Sequence, residues 1–193
     1  MDKNRGAPLA GAGEVTLVTY DDPLAKAAVL DGAARRAVED GGLCDDFDLM
    51  RAGHLASGML RPAAGVEEVS AGAGGVRAAL AAAVSRASRG GCLVIVDSLN
   101  GLHRAAGAGA EIAVNASMMM LASAARQGGS GLAVACMARA EAGGGLVMVP
   151  MGRRVVDLAG ARTARAVALP GGAAVAERAG EAQTALWEPP TSL

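Results

Sequence analysis

The residues best placed to do chemistry lie in the stretch Gly91 to Arg104, GCLVIVDSLNGLHR. An apolar run, Cys92 to Val96, carries no charge and ends on Asp97 and Ser98. β-Branched Val94, Ile95 and Val96 suit a strand buried on both faces, as in a parallel sheet. A carboxylate at the carboxyl tip of such a strand stands where open α/β sheets take their ligands. The simpler reading is a buried strand whose terminal Asp caps the next loop. Ser98 invites comparison with a hydrolase nucleophile, but the G-x-S-x-G elbow is absent from Val96-Asp97-Ser98-Leu99-Asn100. His54 and His103 are the only histidine bases, and nothing in the sequence turns His103 back toward Ser98. Two lone histidines and three scattered cysteines, Cys44, Cys92 and Cys136, do not make a metal site.

The order apolar strand, Asp, Ser, Leu resembles the Walker B strand of RecA-like ATPases, including their RadA and KaiC relatives. In that family the Asp holds the Mg²⁺ of a bound nucleotide. The resemblance therefore implies a nucleotide role for Asp97, as the metal ligand, with Ser98 beside it. The family's phosphate loop, G-x-x-x-x-G-K-[ST], falls on Tyr20-Asp21-Asp22-Pro23-Leu24-Ala25-Lys26-Ala27, after a strand and before a helix. Lys26 matches the family's lysine. Tyr20 and Ala25 replace the two glycines, and Ala27 replaces the hydroxyl residue. Lys26 and Asp97 are 71 residues apart, about the separation of the two motifs in a RecA-like core. The resemblance spans roughly residues 14 to 169.

The replaced positions have physical consequences. Tyr20 and Ala25 carry Cβ atoms that restrict a loop meant to wrap phosphates with backbone N–H groups. Ala27 has no hydroxyl for Mg²⁺. Asp21 and Asp22 stand where phosphates would dock, and Asp22 can cap the helix itself. A carboxylate about 4 Å from a phosphate charge costs roughly 4 kcal/mol at an effective dielectric near 20. That weakens affinity by a factor on the order of 10³. The turn is therefore expected to be self-capped, with Lys26, Asp97 and Ser98 a vestigial nucleotide site. On residue type alone, Lys26 reads as an ordinary solvated helix residue. The family's catalytic carboxylate lies at the end of the next strand, where Asp46 and Asp48 are the candidates; a polar strand edge is their simpler reading. The family's polar sensor has no counterpart in Cys136-Met137-Ala138, and Arg139 is a loose substitute. Arg153, Arg154, Arg162 and Arg165 form a cluster that could be an interface or an anion patch, though charges on exposed hairpins are the commoner case.

These residues need elements to hold them. Glu14 to Tyr20 is rich in β-branched residues and reads as the first strand. Asp22-Pro23 is a good helix start, and the helix runs to about Glu39, stopped by Gly41-Gly42. A weaker strand lies at Leu43 to Leu49. Residues 50–75 carry Pro62 and several glycines, with a short helix expected near His54 to Leu60. Val76 to Ser88 is an alanine-rich helix with Val76, Leu80 and Val84 on one face. Gly101 to Ala110 reads as a mobile small-residue loop. Glu111 to Arg126 reads as a helix whose Met118, Met119 and Met120 could form a sticky partner-binding face, though filling irregular core space is the simpler reading. Gly131 to Met137 is a second buried strand. Short extended runs follow at Leu146 to Val149, Arg153 to Leu158, Arg165 to Leu169 and Ala182 to Trp187. This alternation, followed by hairpins, predicts an α/β fold: a RecA-like three-layer domain with a mostly parallel sheet flanked by helices and C-terminal antiparallel strands.

The 193 residues suit one domain. A flexible lead is expected over 1–13, the domain over 14–188 and a tail over 189–193. Lys and Arg total 18 against 19 Asp and Glu, so no basic stripe argues for nucleic acid. With one Trp, one Tyr and one Phe, base-stacking platforms are scarce. DNA binding remains an option only for a local patch. No signal peptide is expected, because Glu14 interrupts the small-residue start, and no run is long enough for a membrane span. The cysteine spacing fits buried thiols in a reducing cytoplasm. The resemblance implies a catalytically degenerate RecA/KaiC-like subunit, structural or regulatory in role. It would assemble as a homo-oligomer or hetero-oligomer with an active relative, with the family's habit of rings or filaments. No cofactor is expected. The alternative is a divergent Mg-ATP hydrolase using Lys26 and Asp97, linked to recombination, repair or signalling.

Overall fold

The structure, a computed structural model, describes residues 8–48, 65–68, 75–140, 146–148, 160–170, 174–178 and 184–187. The strand β1 (Val15–Tyr20) is buried along its whole length and leads into the helix α1 (Pro23–Glu39). Then come β2 (Leu43–Asp48), β3 (Val66–Glu68), α2 (Gly75–Ala87), β4 (Cys92–Asp97), α3 (Leu99–Ala106), α4 (Glu111–Gly128) and β5 (Gly131–Ala140). The chain ends with β6 (Leu146–Met148), β7 (Arg162–Ala168), β8 (Ala174–Arg178) and β9 (Thr184–Trp187).

One sheet runs β3-β2-β4-β5-β1-β7-β8-β9, with β6 attached to β5. The pairs from β3 across to β7 are parallel; β5–β6, β7–β8 and β8–β9 are antiparallel. This is the mostly parallel, helix-flanked sheet with antiparallel terminal strands that the alternation of apolar runs predicts. The strands β1 and β4 are not neighbours. β5 lies between them, pairing Tyr20 with Met137 on one side and Val96 with Val134 on the other.

Strand alternation divides the core into two layers. Val94, Val96, Leu132 and Val134 point to the side covered by α2, α3 and α4. Leu93, Ile95, Ala133 and Ala135 point to the side covered by α1. On that second side the sheet is largely alanine, including Ala164, Ala166 and Ala176, so α1 can lie close to it. From Ala25 to Ala34 every residue of α1 is buried, the pattern of a helix enclosed all round rather than one facing water.

Several details depart from the sequence reading. Part of the expected flexible lead is packed: Leu9 and Ala10 are buried with the α1-side core, and Thr16 Oγ1 donates to the Leu9 carbonyl at 2.8 Å. The expected loop at Gly101 to Ala110 begins instead as α3. Gly101 weakens its intrinsic helicity, but Ser98 caps it and Leu99 and Leu102 anchor it in the core. β8 was not anticipated. The helix expected near His54 to Leu60 and the run Arg153 to Leu158 lie outside the described residues.

Close backbone approach fixes where α2 and α4 end. A Cβ on Gly128 would stand 2.3 Å from the Ala87 carbonyl oxygen, and one on Gly90 2.2 Å from the Gly128 oxygen. Neither obstacle is a movable side chain. Gly128→Ala is expected to destabilise the fold by about 1–3 kcal/mol, the usual cost of overpacking, measurable by urea denaturation. An unchanged midpoint would show that the two helix ends are not in contact.

Candidate functional site

The carboxyl ends of β1, β2, β4 and β5 meet at one edge of the molecule, where the turn into α1 faces the tip of β4. The first question there is which groups use the amides that open α1. Pro23 has none. Asp22 Oδ1 accepts from the Leu24 N–H at 2.8 Å and the Ala25 N–H at 3.3 Å. The Lys26 N–H donates to the Asp22 carbonyl at 3.1 Å. Asp22 itself is extended, at φ −103° and ψ 114°, as a helix cap should be. Each amide of the first turn therefore has a partner within the turn. The self-capping expected from Asp22-Pro23 is what forms.

One turn further, the Lys26 side chain leaves α1 and crosses toward β4. β1 and β4 are two strand spacings apart, roughly 10 Å. α1 crosses the alanine side of β5 and packs against β4, so the lysine stem and the Asp97 side chain close the remaining gap. Its Nζ lies 2.5 Å from Asp97 Oδ1, and the two side chains are 2% and 0% exposed. The Tyr20 ring, itself buried, has its centroid 5.2 Å from the same ammonium, within cation–π range. The ordinary solvated lysine of the sequence reading is thus overturned: Lys26 is among the most deeply buried large side chains. A short apolar helix face gives no warning of this, because the partner is 71 residues away.

The other carboxylate oxygen, Asp97 Oδ2, is buried with no hydrogen-bond partner among the described residues. Asp48 sits beside Asp97 in backbone register at the tip of β2, and Asp46 beside Ile95. Ser98 is buried, and its Oγ accepts from the Gly101 N–H at 3.2 Å, so it caps α3. His103 is also buried, with Nε2 lacking a hydrogen bond among the described residues. No bond joins it to Ser98 among those residues, in keeping with the absence of a hydrolase motif. Asn100 is a residue the sequence reading missed. Its Oδ1 accepts from the Met137 N–H at 2.8 Å and ties the start of α3 to the end of β5. Arg139 is exposed.

Arg162 pairs with Glu14 at 2.9 Å, and Arg165 reaches Asp21 at 3.5 Å, both partly exposed. Arg153, Arg154 and His54 lie outside the described residues. Cys136, buried in β5, is pushed by that burial from its ordinary value of 9.0 to about 11. No group of three or more metal-ligating side chains occurs among the described residues, and none of their helices is long and apolar enough to cross a membrane.

No protein-family model matches the chain, and no curated protein matches it. Among solved structures it is similar to the crystal structure of the RadB recombinase, at 19% identity and TM-score 0.56, over 88% of this chain and 82% of that one. At that identity the likeness establishes the fold, which is RecA-like.

Two outcomes follow from this geometry. Removing one partner of a buried ion pair strands the other charge, so Lys26→Met and Asp97→Asn should each cost about 3–5 kcal/mol. The double variant should fall short of their sum by about 1–3 kcal/mol in a denaturation cycle; strict additivity would mean that the groups do not interact. The raised Cys136 value gives a second test. The unfolded thiol loses its proton near pH 9, the folded one near pH 11. Stability that is complete below pH 9 is therefore lost as pH rises between those values. The slope over this window should be shallower in Cys136→Ala than in the parent; equal slopes would contradict the burial of the thiol.

Proposed function

We propose that this chain is a catalytically degenerate RecA-fold protein, acting as a structural or regulatory subunit, alone in homo-oligomers or together with an active RecA-like relative. The observation that carries this reading is the buried Lys26–Asp97 pair. The two groups that the family resemblance assigns to phosphate and to metal bind each other instead. The amides of α1 support it, since Asp22 satisfies them.

On this reading a magnesium-bound triphosphate does not fit the residues present. Asp21 and Asp22 bring negative charge to the place of the phosphates. Tyr20 puts a buried ring where the family has glycine, and Ala27 offers no hydroxyl. Freeing Asp97 for a metal would leave the Lys26 ammonium without its anion in a site closed to water. The fold shared with a recombinase supports grouping the chain with RecA-like proteins. The habit of such domains to assemble supports a role through partners rather than through hydrolysis.

Calorimetric titration of Mg-ATP into the intact protein tests the reading. No binding tighter than about 1 mM is expected, which corresponds to about −4 kcal/mol. Sedimentation profiles should likewise be the same with and without Mg-ATP. Micromolar binding that disappears in Lys26→Ala would establish the divergent ATPase instead.

A further inference from the structure

On the face of the sheet opposite α1, the helices α2, α3 and α4 leave a hollow between them. Its volume is about 520 Å³, within the roughly 300–1,000 Å³ usual for small-molecule pockets. Its walls are Val76 and Leu80 from α2, Ala105 and Ala106 from α3, and Ala113 and Val114 from α4. The hollow exists because these walls are short. Alanine stands at three of those six positions, and Ala110 at the turn into α4 makes a fourth. Further along α4 the layer closes, where Met118 and Leu121 are fully buried. Water against apolar walls gains from displacement by an apolar group.

Polar side chains in the lining are few. Arg77 and Ser117 supply them, and Arg77 is the one charged residue. Its guanidinium has no ion pair or hydrogen bond among the described residues. Arg86, on the same helix, is by contrast held by Glu67. Glu111, exposed at the start of α4, does not line the hollow. The charge offered to an occupant is therefore a single free cation beside apolar walls. A guanidinium takes a carboxylate through two parallel hydrogen bonds, so this combination suits an acid with an apolar tail. Length narrows the choice. From Ala110 to Ser117 the chain rises roughly 10 Å, about the length of an extended eight-carbon chain.

We infer that this hollow binds a monocarboxylate with an alkyl chain of about eight carbons, its head on Arg77 and its tail among the alanines. The inference goes beyond the proposed subunit role. It lies on the face away from Lys26 and holds whether or not nucleotide binds.

Calorimetric titration of sodium octanoate into the full chain tests it. Binding at about 1 mM or tighter is expected. Hexanoate should bind about tenfold less tightly, because two fewer methylenes are buried. Ala113→Leu fills the hollow at an exposed helix position, so it should weaken octanoate at least tenfold without lowering the thermal midpoint. Arg77 is also exposed, so Arg77→Gln should fold normally. It should weaken octanoate about tenfold and leave 1-octanol unaffected, a split that a merely structural role for the arginine would not give. Octanoate binding no tighter than about 10 mM would overturn the inference. So would octanoate binding that is unchanged in Ala113→Leu, which would place the ligand elsewhere, or unchanged in Arg77→Gln.

Discussion

A charged ammonium and a charged carboxylate, both removed from water, hold the carboxyl end of this sheet together. Burying either alone would cost several kcal/mol, so each depends on the other. Because β5 separates β1 from β4, the contact needs a long side chain from α1 and, between them, a strand whose face toward α1 is small. Ala133 and Ala135 provide that face. The Tyr20 ring then flanks the ammonium. The placement of α1 against β4 follows from this one contact as much as from apolar packing.

The turn before α1 shows the same economy of polar groups. An N-terminal helix turn normally leaves amides that attract an anion. Here proline removes one and Asp22 takes the next ones, so the anion is supplied by the chain itself. The two faces of the sheet thus differ in kind. On one, charge is matched internally around α1. On the other, α4 leaves Ile112, Met119 and Met120 in contact with water.

Much of the fold was legible in the residues. β-Branched runs marked β1 and β4, an apolar run marked the first part of β5, and Asp22-Pro23 marked the start of α1 because cap chemistry is local. Asp97 was found from its position at the end of a strand. Lys26 was found only through its register with the family loop; by residue type it read as solvated, since a salt bridge across a sheet leaves no local trace. α3 was hidden because Asn100 and Gly101 have weak helix propensity, and its stability comes from Leu99 and Leu102 in the core. The burial of Leu9 and the Asn100–Met137 bond were invisible for the same reason: both are tertiary contacts. The fold itself could be checked against the RadB recombinase structure, whereas the roles of the site residues rest on the geometry alone.

The most direct test of the internal pairing is nitrogen-15 NMR of the lysine side chains. A Lys26 ammonium held by Asp97 and shielded from solvent should give a slowly exchanging signal, assignable by its loss in Lys26→Arg, that does not move when Mg-ATP is added. A Lys26 signal that exchanges as fast as those of surface lysines, or that shifts and saturates with Mg-ATP, would contradict the account.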